Sequence, residues 1–458
     1  MTSSPLSIEE LRARVTQQFP SMIQELADLV AIPSISSDPE HADDMWISAR
    51  HVASRLEELG LKASVRNATT PEGVVGRPAV VAHSPQIPGA RTVLLYAHHD
   101  VQPIGDASHW DTDPFVLTEK DGRLFGRGSS DDGAGVVVHL GALKALGQDL
   151  PVNVALFIEG EEEVGSPSFT TFVAENAEEL NADVIIVCDS NNWAPGIPAI
   201  TTTLRGNALV DVTVKVLEHG VHSGQFGGPI LDAVTLAARL IAILHDENGD
   251  VAVPGLDFSD TADVEWTEAD FRQAAGVLEG YQLAGTGDLA ARAWTKPAIN
   301  VIGMDGRTVA QSGNMIQPEC TFRLSIRIAP TQDPHQALEL IKTFIEDHAP
   351  SGAQVSVTCG EAGYGFAADL DSEAAHLLRD SLREAWDGVE PVNTGIGGSI
   401  PFITDFNHQF PQAKVLVTGV EDPLTNAHAD NESQSKDDLH RAILAEAVLL
   451  TKLAGLQR

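Results

Sequence analysis

The sequence predicts an α/β fold, a mixed and mainly parallel sheet sandwiched by helices, with an α+β domain inserted into it. In the first 205 residues, short apolar runs rich in β-branched residues alternate with helical patterns, which is typical of a sheet covered on both faces. From about Gly206 the apolar residues alternate with polar ones, the period of half-exposed antiparallel strands. The length of 458 residues also favours two domains over one.

The first domain begins with an amphipathic helical pattern over residues 7–31, which Pro33 ends. Four apolar runs then predict buried strands, and these are residues 93–96, 152–158, 184–187 and 415–417. A helical pattern over residues 372–386 marks the return to this domain after the insertion. We therefore assign residues 1–205 and 366–458 to the first domain.

The inserted domain is assigned to residues 206–365. Its predicted strands, 208–216 and 321–328, alternate apolar and polar residues, and residues 231–244 form an amphipathic helical pattern between them. Residues 248–297 mix acids, glycines and aromatics without a clear period, so the sequence predicts no structure for this stretch.

Composition excludes several classes of protein. The formal net charge of -36 disfavours binding to nucleic acid or to an anionic membrane. No apolar stretch approaches the length of about 20 residues that a membrane span needs, and the first residues lack the pattern of a secretory signal. Three widely separated cysteines indicate a reducing compartment rather than a disulfide framework. We expect a cytoplasmic protein.

Metal-binding residue types follow each predicted buried strand. They are His98 and Asp100, the acidic run 159–163, Asp189, and His428 after a loop. Because ligands bind beyond the carboxyl ends of the strands in open α/β sheets, we expect these side chains to meet at one edge. Asp131 precedes an apolar helix, where an aspartate also serves as an ordinary cap, but beside the other segments a role as ligand is favoured.

Spacing and charge refine this cluster. His98 and Asp100 point to the same side of an extended segment, so we choose His98 as the ligand, with Asp100 orienting its imidazole, and expect His99 to pack away. Asp131, Glu163 and Asp189 bring three negative charges, which two divalent cations and one bridging hydroxide would balance. Glu162 is then the expected general base. It would take a proton from the water molecule that becomes the attacking hydroxide, and pass that proton to the leaving amine.

Seven motifs carry a resemblance to a known family. They are YAHHDVQP (96–103), GRGSSDDGAG (126–135), EGEEEVGS (159–166), VCDS (187–190), HSGQFGG (222–228), GIGGSIP (395–401) and NAHADNE (426–432). In this order the sequence resembles the dinuclear-zinc metallopeptidases that include carnosinase-like dipeptidases, aminoacylases and glutamate carboxypeptidase. HSGQFGG and GGSIP make it most similar to the carnosinase-like dipeptidases.

The resemblance implies a role for each candidate residue. One cation is bound by His98, Asp131 and Asp189, and the other by Asp131, Glu163 and His428. Zinc is the expected metal, with manganese and cobalt as alternatives, because such donors accept all three. The resemblance also implies that the inserted domain is a lid and that two chains form a homodimer through it. From it His222 reaches the partner's site as an oxyanion donor, and Arg327 binds the substrate carboxylate.

Further substrate contacts are expected from Gly398 and Ser399 as a backbone cradle, and from Asn314. The predicted function is therefore metal-dependent hydrolysis of the amide bond of dipeptides. An N-acyl or N-carbamoyl amino acid amidohydrolase with the same site is the first alternative, and an inactive peptide-binding scaffold is the second. The absence of GxSxG and of GxxxxGK[ST] disfavours serine hydrolases and nucleotide enzymes.

Overall fold

The computed structural model describes residues 6–398 and 401–456. Within them the α-helices are, in chain order, α1 (Ile8–Val30), α2 (Ala42–Glu58), α3 (Gly133–Leu146), α4 (Phe169–Glu175), α5 (Ala177–Leu180), α6 (Ser223–Phe226), α7 (Ala233–Ala242), α8 (Glu268–Ala275), α9 (Leu289–Trp294), α10 (Pro334–Asp347), α11 (Glu373–Ala385), α12 (Pro401–Gln409) and α13 (Lys436–Leu453).

The β-strands of the same residues are β1 (Lys62–Arg66), β2 (Ala79–His83), β3 (Thr92–His98), β4 (Thr118–Lys120), β5 (Arg123–Phe125), β6 (Asn153–Glu159), β7 (Val184–Cys188), β8 (Ala199–Leu204), β9 (Gly206–Lys215), β10 (Val221–His222), β11 (Ala298–Met304), β12 (Met315–Ile316), β13 (Glu319–Ile328), β14 (Gln354–Gly363), β15 (Phe366–Ala367), β16 (Val392–Ile396), β17 (Lys414–Thr418) and β18 (Ser433–Ser435).

The described residues divide into two compact units. The first draws on Met1–Thr202, Ala368–Thr394 and Pro401–Arg458, and the second on Thr203–Ala367 and Gly395–Ile400. The segment that begins at Gly395 differs from the sequence assignment, which left it in the first domain. Its backbone is held by the second unit, because Arg205 Nε donates a hydrogen bond of 2.9 Å to the Gly397 carbonyl oxygen.

A six-stranded mixed sheet organises the first unit, in the order β1-β2-β6-β3-β7-β17. Strands β6, β3, β7 and β17 run parallel, whereas β1 and β2 are antiparallel to their neighbours. Both β6 and β7 are buried along their whole length, which explains why these segments read as continuous apolar runs without alternation. The predicted α/β fold with a mainly parallel sheet is confirmed.

Helices cover both faces of this sheet. On one face α1, α2, α3, α11 and α13 pack with the strands into a single apolar core. On the other face the aromatic side chains of α4 and α12 pack against the sheet, where Tyr96 stacks on Phe402 with ring centroids 4.2 Å apart. Helix α3 has only one residue that is not buried, so it is enclosed by α1, α13 and the sheet. Its first turn is therefore fixed firmly in place.

The second unit is built on an antiparallel sheet in the order β11-β13-β9-β14. Strand β9 alternates buried and half-exposed residues along most of its length, as expected for a sheet covered on one face. Helices α7 and α10 cover that face with apolar side chains. The long segment without a sequence period contains α8 and α9 and folds around Lys296, whose ammonium lies 2.7 Å from Asp250 and 2.9 Å from Asp260.

No helix in the described part of the chain is both long enough and apolar enough to cross a membrane. The cysteines Cys188, Cys320 and Cys359 are all free thiols, in agreement with the expected absence of a disulfide framework.

Candidate metal centre

Three neighbouring parallel strands bring metal-binding residue types to one edge of the first unit's sheet. His98 is the last residue of β3 and pairs in register with Glu159, the last residue of β6. Asp189 directly follows β7, which lies on the other side of β3. Because these strands are parallel, their carboxyl ends meet at the same edge, and the side chains that follow them lie together.

The first donor triplet consists of His98, Asp131 and Asp189. Nε2 of His98 lies 3.0 Å from Oδ1 of Asp131 and 3.9 Å from Oδ1 of Asp189. One donor atom from each of the three residues falls within 4.8 Å of the other two. The side chain of His98 is completely buried.

The second donor triplet shares Asp131 and adds Glu163 and His428. Nε2 of His428 lies 2.9 Å from Oδ2 of Asp131 and 3.1 Å from Oε2 of Glu163. Asp131 therefore offers one carboxylate oxygen to each triplet. The two triplets differ in access to solvent, since the His428 side chain is 56% exposed.

Asp100 connects the histidine of the first triplet with the glutamate of the second. Its Oδ1 lies 3.3 Å from Nδ1 of His98, so Nε2 is the imidazole nitrogen that faces the cluster. Its two carboxylate oxygens also accept backbone hydrogen bonds from Glu162, at 3.3 Å, and Glu163, at 3.1 Å. Asp100 is fully buried and thus fixes an imidazole and the 162–163 backbone at once. His99 is buried away from the cluster, with Nε2 2.8 Å from the Pro78 carbonyl oxygen.

The acidic run after β6 separates into structural and site residues. Glu159 accepts a hydrogen bond of 2.6 Å from the Tyr96 hydroxyl. Glu161 accepts backbone hydrogen bonds from Ser168 and Arg77, at 2.7 and 3.0 Å, and so closes the loop. The carboxylate of Glu162 has no hydrogen-bond partner among the described residues. Burial raises the pKa of this carboxyl group to about 9. Glu162 is therefore the acid of this run that is free to exchange a proton.

Burial and crowding disfavour ionisation of the remaining carboxylates. Burial raises the pKa of Asp189 to about 7, and it raises the pKa of Glu163 as well, although by an amount that its contact with His428 limits. Burial alone would also raise the pKa of Asp131, but hydrogen bonds from His428 and His98 outweigh it and hold that pKa well below the usual value. Three acids at one edge thus depend on nearby positive charge to ionise.

The two imidazoles supply that positive charge as protons. Burial would lower the pKa of His98, but its contacts with Asp100 and Asp131 prevail and raise it well above the usual value. Hydrogen bonds to Asp131 and Glu163 raise the pKa of His428 to about 11. Nε2 of each imidazole lies 2.9 to 3.0 Å from a carboxylate oxygen of Asp131, so a divalent cation between these atoms would take the place of a proton.

These donors fit a pair of divalent cations. Imidazole nitrogens and carboxylate oxygens are the donors that zinc, manganese and cobalt accept, and each triplet offers three of them within 4.8 Å of one another. The carboxylate shared between the triplets is the arrangement typical of two cations about 3.5 to 4 Å apart. The remaining His98 nitrogen is held by Asp100, which fixes the tautomer that coordination needs.

The candidate substrate residues that the structure describes lie in the second unit. His222 ends β10 and pairs with Met315 of β12, next to Asn314, and its Nδ1 accepts a hydrogen bond of 3.0 Å from the Gly224 backbone. Arg327 lies on β13 between its neighbours on β11 and β9. Gly398 follows β16. Ser399 lies outside the described residues. The roles of these residues stay predictions.

Several supporting residues were not identified from the sequence. Asp132 accepts a hydrogen bond of 3.0 Å from the His98 backbone and one from Gly135, so it caps α3 and fixes β3 together. Gln102 donates a hydrogen bond of 2.8 Å to Oε2 of Glu163. Both residues lie within the quoted motifs, but only their contacts in space distinguish them from neighbouring polar residues. Glu432, in the last motif, contacts the loop that carries Asp131.

Comparison with known proteins adds independent information. The profile of peptidase family M20/M25/M40 matches residues 94–452. The chain is 35% identical over 441 residues to the cysteinylglycine-S-conjugate dipeptidase of Corynebacterium striatum, and the aligned region covers 94% of each protein. It is 27% identical to the Beta-Ala-His dipeptidase of Homo sapiens, over 94% of this chain and 90% of that protein. The crystal structure of human carnosine dipeptidase 1 superposes with a TM-score of 0.73 at 25% identity, covering 99% of this chain and 100% of that one.

Proposed function

Because this chain belongs to peptidase family M20/M25/M40, we propose that it hydrolyses the amide bond of dipeptides with two divalent cations as cofactors. The observation that carries the proposal is the pair of donor triplets that share Asp131. Next to them lies the carboxylate of Glu162, which has no hydrogen-bond partner among the residues that the structure describes. The similarity to dipeptidases from a bacterium and from human supports the choice of substrate class.

We propose His98, Asp131 and Asp189 as ligands of one cation, and Asp131, Glu163 and His428 as ligands of the other. Two divalent cations held there would polarise the substrate carbonyl group and lower the pKa of a water molecule towards neutrality. Zinc is the proposed metal, and manganese and cobalt are the alternatives that the same donors accept.

Glu162 is the proposed general base and acid. Its backbone is held by Asp100, whereas its carboxylate has no hydrogen-bond partner among the described residues, so the position of the group is set while its proton remains exchangeable. With two cations beside it, the ionised carboxylate of Glu162 would take a proton from the attacking water and return it to the leaving amine. Asp100 acts through His98 and the 162–163 backbone and is a positioning residue.

Substrate recognition is assigned to the second unit. A guanidinium such as that of Arg327 suits the carboxylate of a dipeptide, and Gly398, Ser399 and Asn314 are the other proposed contacts. His222 is the proposed oxyanion donor, acting across a homodimer formed through residues 206–365. We propose a cytoplasmic enzyme, and the three free cysteines are consistent with a reducing compartment.

The substrate class is tested with purified, zinc-loaded protein on a panel of dipeptides and on the same dipeptides with acetylated or carbamoylated N-termini. We expect release of free amino acids from the unblocked dipeptides only. Preferential turnover of the blocked compounds would instead establish an amidohydrolase of N-acyl or N-carbamoyl amino acids. No turnover of either set, with two cations bound per chain, would indicate a peptide-binding scaffold.

Metal binding is expected to depend on pH with a definite sign. The pKa of the ligand Asp189, about 7, is raised on folding, so its protonated form stabilises the protein at pH values below the pKa of this group in the unfolded chain. That stability is lost as the pH rises through 7. Since cations also bind only deprotonated ligands, the increase in melting temperature on adding Mn²⁺ should grow between about pH 5.5 and about pH 8.

Differential scanning fluorimetry with and without Mn²⁺ at each pH measures this increase. The Asp131→Asn variant is the control, and it should show little increase at any pH. An increase that stays constant, or that shrinks as the pH rises, would contradict cation binding at these ligands.

A further inference from the structure

A buried ion pair between Arg127 and Glu432 lies next to the donor triplets, and neither residue belongs to a triplet. Nη1 of Arg127 donates a hydrogen bond of 2.6 Å to Oε2 of Glu432, across 305 positions of the chain. The Arg127 side chain is 2% exposed and the Glu432 side chain is completely buried. Burying two charges is costly unless further hydrogen bonds compensate for it. Nε of Arg127 has no partner among the described residues, but the other polar atoms of the pair do, and their contacts indicate what the pair does.

The other hydrogen bonds that the Glu432 carboxylate accepts come from the backbone of the loop that carries Asp131. Its Oε1 accepts hydrogen bonds from the amides of Ser130, at 3.0 Å, and Asp131, at 3.1 Å. Its Oε2 accepts another from the amide of Gly128, at 3.2 Å. One carboxylate therefore fixes three amides of the loop, including the amide of the shared ligand itself.

Arg127 connects the same pair to the loop of His428. Its Nη2 donates to the carbonyl oxygens of Ala429, at 3.1 Å, and Pro103, at 3.3 Å. Ala429 is the residue after His428, and the planar guanidinium also lies over the ring of Trp110, 5.5 Å from its centroid. The guanidinium therefore holds the backbone beside the second triplet's histidine in a fixed orientation.

We propose that the Arg127–Glu432 pair sets the separation of Asp131 and His428, and thereby the affinity of the second triplet for its cation. The pair contacts the backbone at or beside both ligands but neither of their donor atoms, so both residues are positioning residues. Partners that orient ligands typically change metal affinity by about 10- to 100-fold when they are altered. The inference rests on the proposed function, because it assumes that the second triplet binds a cation.

Two substitutions break the pair in different ways. Glu432→Gln keeps the size of the side chain but replaces one carboxylate oxygen by an NH₂ group. This group cannot accept the hydrogen bonds that Oε2 or Oε1 now accepts. Arg127→Lys keeps the positive charge, but a single ammonium replaces the fork that reaches Glu432, Ala429 and Pro103 together. A shared effect of the two variants would therefore come from lost positioning rather than from altered net charge.

Glu446→Gln is the matched control. Glu446 is also a buried carboxylate of the first unit, 5% exposed, and its Oε2 lies 2.9 Å from Nδ1 of His139 on α3. The same chemical change there disturbs a buried ion pair that makes none of the loop contacts described above. We expect Glu446→Gln to lower the melting temperature while leaving the affinity for cations at the parent value.

The experiment titrates each cation-free protein with Mn²⁺ by calorimetry and follows amide hydrogen exchange by mass spectrometry. For Glu432→Gln and Arg127→Lys we expect binding of one Mn²⁺ to weaken by about 10- to 100-fold. Peptides that contain residues 128–131 should exchange faster in Glu432→Gln than in the parent protein, also without metal. If Glu432→Gln does not fold, Arg127→Lys alone decides by the same two measurements.

Parent-like Mn²⁺ affinity in both variants would overturn the inference, as would an equal loss of affinity in Glu446→Gln, which would show only a general loss of stability. A parent protein that binds no pair of cations would overturn the proposed function, and this inference with it. The parent titration thus separates the two failures.

Discussion

Replacing Asp131 by asparagine is expected to lower the cation content of the protein below one per chain and the rate of dipeptide hydrolysis by at least about 1000-fold. Asparagine keeps the volume of the side chain but loses the negative charge and one of the two oxygens. Since Oδ1 faces His98 and Oδ2 faces His428, an amide nitrogen would replace a donor atom in one triplet whichever way the side chain turned. One triplet thus loses a donor atom and both lose the shared negative charge, so both cations depend on this residue.

The measurement combines elemental analysis of the purified variant with its rate on the best dipeptide. Asp430→Asn provides the control, because Asp430 lies on the same loop as His428 but its one ion pair among the described residues is with the exposed His109, at 3.3 Å. This control should keep both its metal content and its activity. Retention of two cations by Asp131→Asn would show that the shared carboxylate is not the bridge between them.

Glu162→Gln is expected to keep both cations and to lose at least about 100-fold in kcat, the usual size of a general acid–base contribution. Glutamine occupies the same space but can neither accept the proton of the attacking water nor deliver it to the leaving amine. Because Glu162 belongs to neither triplet, its neutralisation should leave the metal content unchanged. The loss should appear in kcat, with KM little altered, since no binding contact is removed.

Glu161→Gln is the neighbouring control for this variant. The Glu161 carboxylate binds the backbone of Arg77 and Ser168 and closes the loop, so its loss should lower the melting temperature more than the rate. A Glu162→Gln protein with a normal kcat would mean that another group moves the proton. Loss of a cation from it would mean that Glu162 is itself a ligand.

Much of the first unit and of the cluster is predictable because the signals are local. Strands β6 and β7 are buried along their length, so they stand out as apolar runs, and the residues after them are read directly from the sequence. Parallel pairing then brings His98 and Asp189 to the same edge without further information. The alternation along β9 likewise reports a sheet with one covered face.

The supporting contacts are not predictable in this way because they join distant parts of the chain. Glu432 and Arg127 are polar residues in loops, and nothing within a few positions of either one indicates a partner about 300 residues away. The same holds for the segment of α8 and α9, which is organised by the contacts of Lys296 with Asp250 and Asp260 rather than by an apolar period. Pattern reasoning detects periodic burial, and these contacts have none.

The unequal exposure of the two histidines implies that the two cations would exchange with ions in solution at different rates. An ion bound beside the exposed His428 meets the surrounding medium and its competing chelators directly, and would exchange with the free-metal pool throughout the life of the protein. An ion bound beside the completely buried His98 would be held by donors of low exposure, since the Asp131 and Asp189 side chains are 10% and 15% exposed, and it would exchange more slowly. One protein molecule could thus carry two different elements.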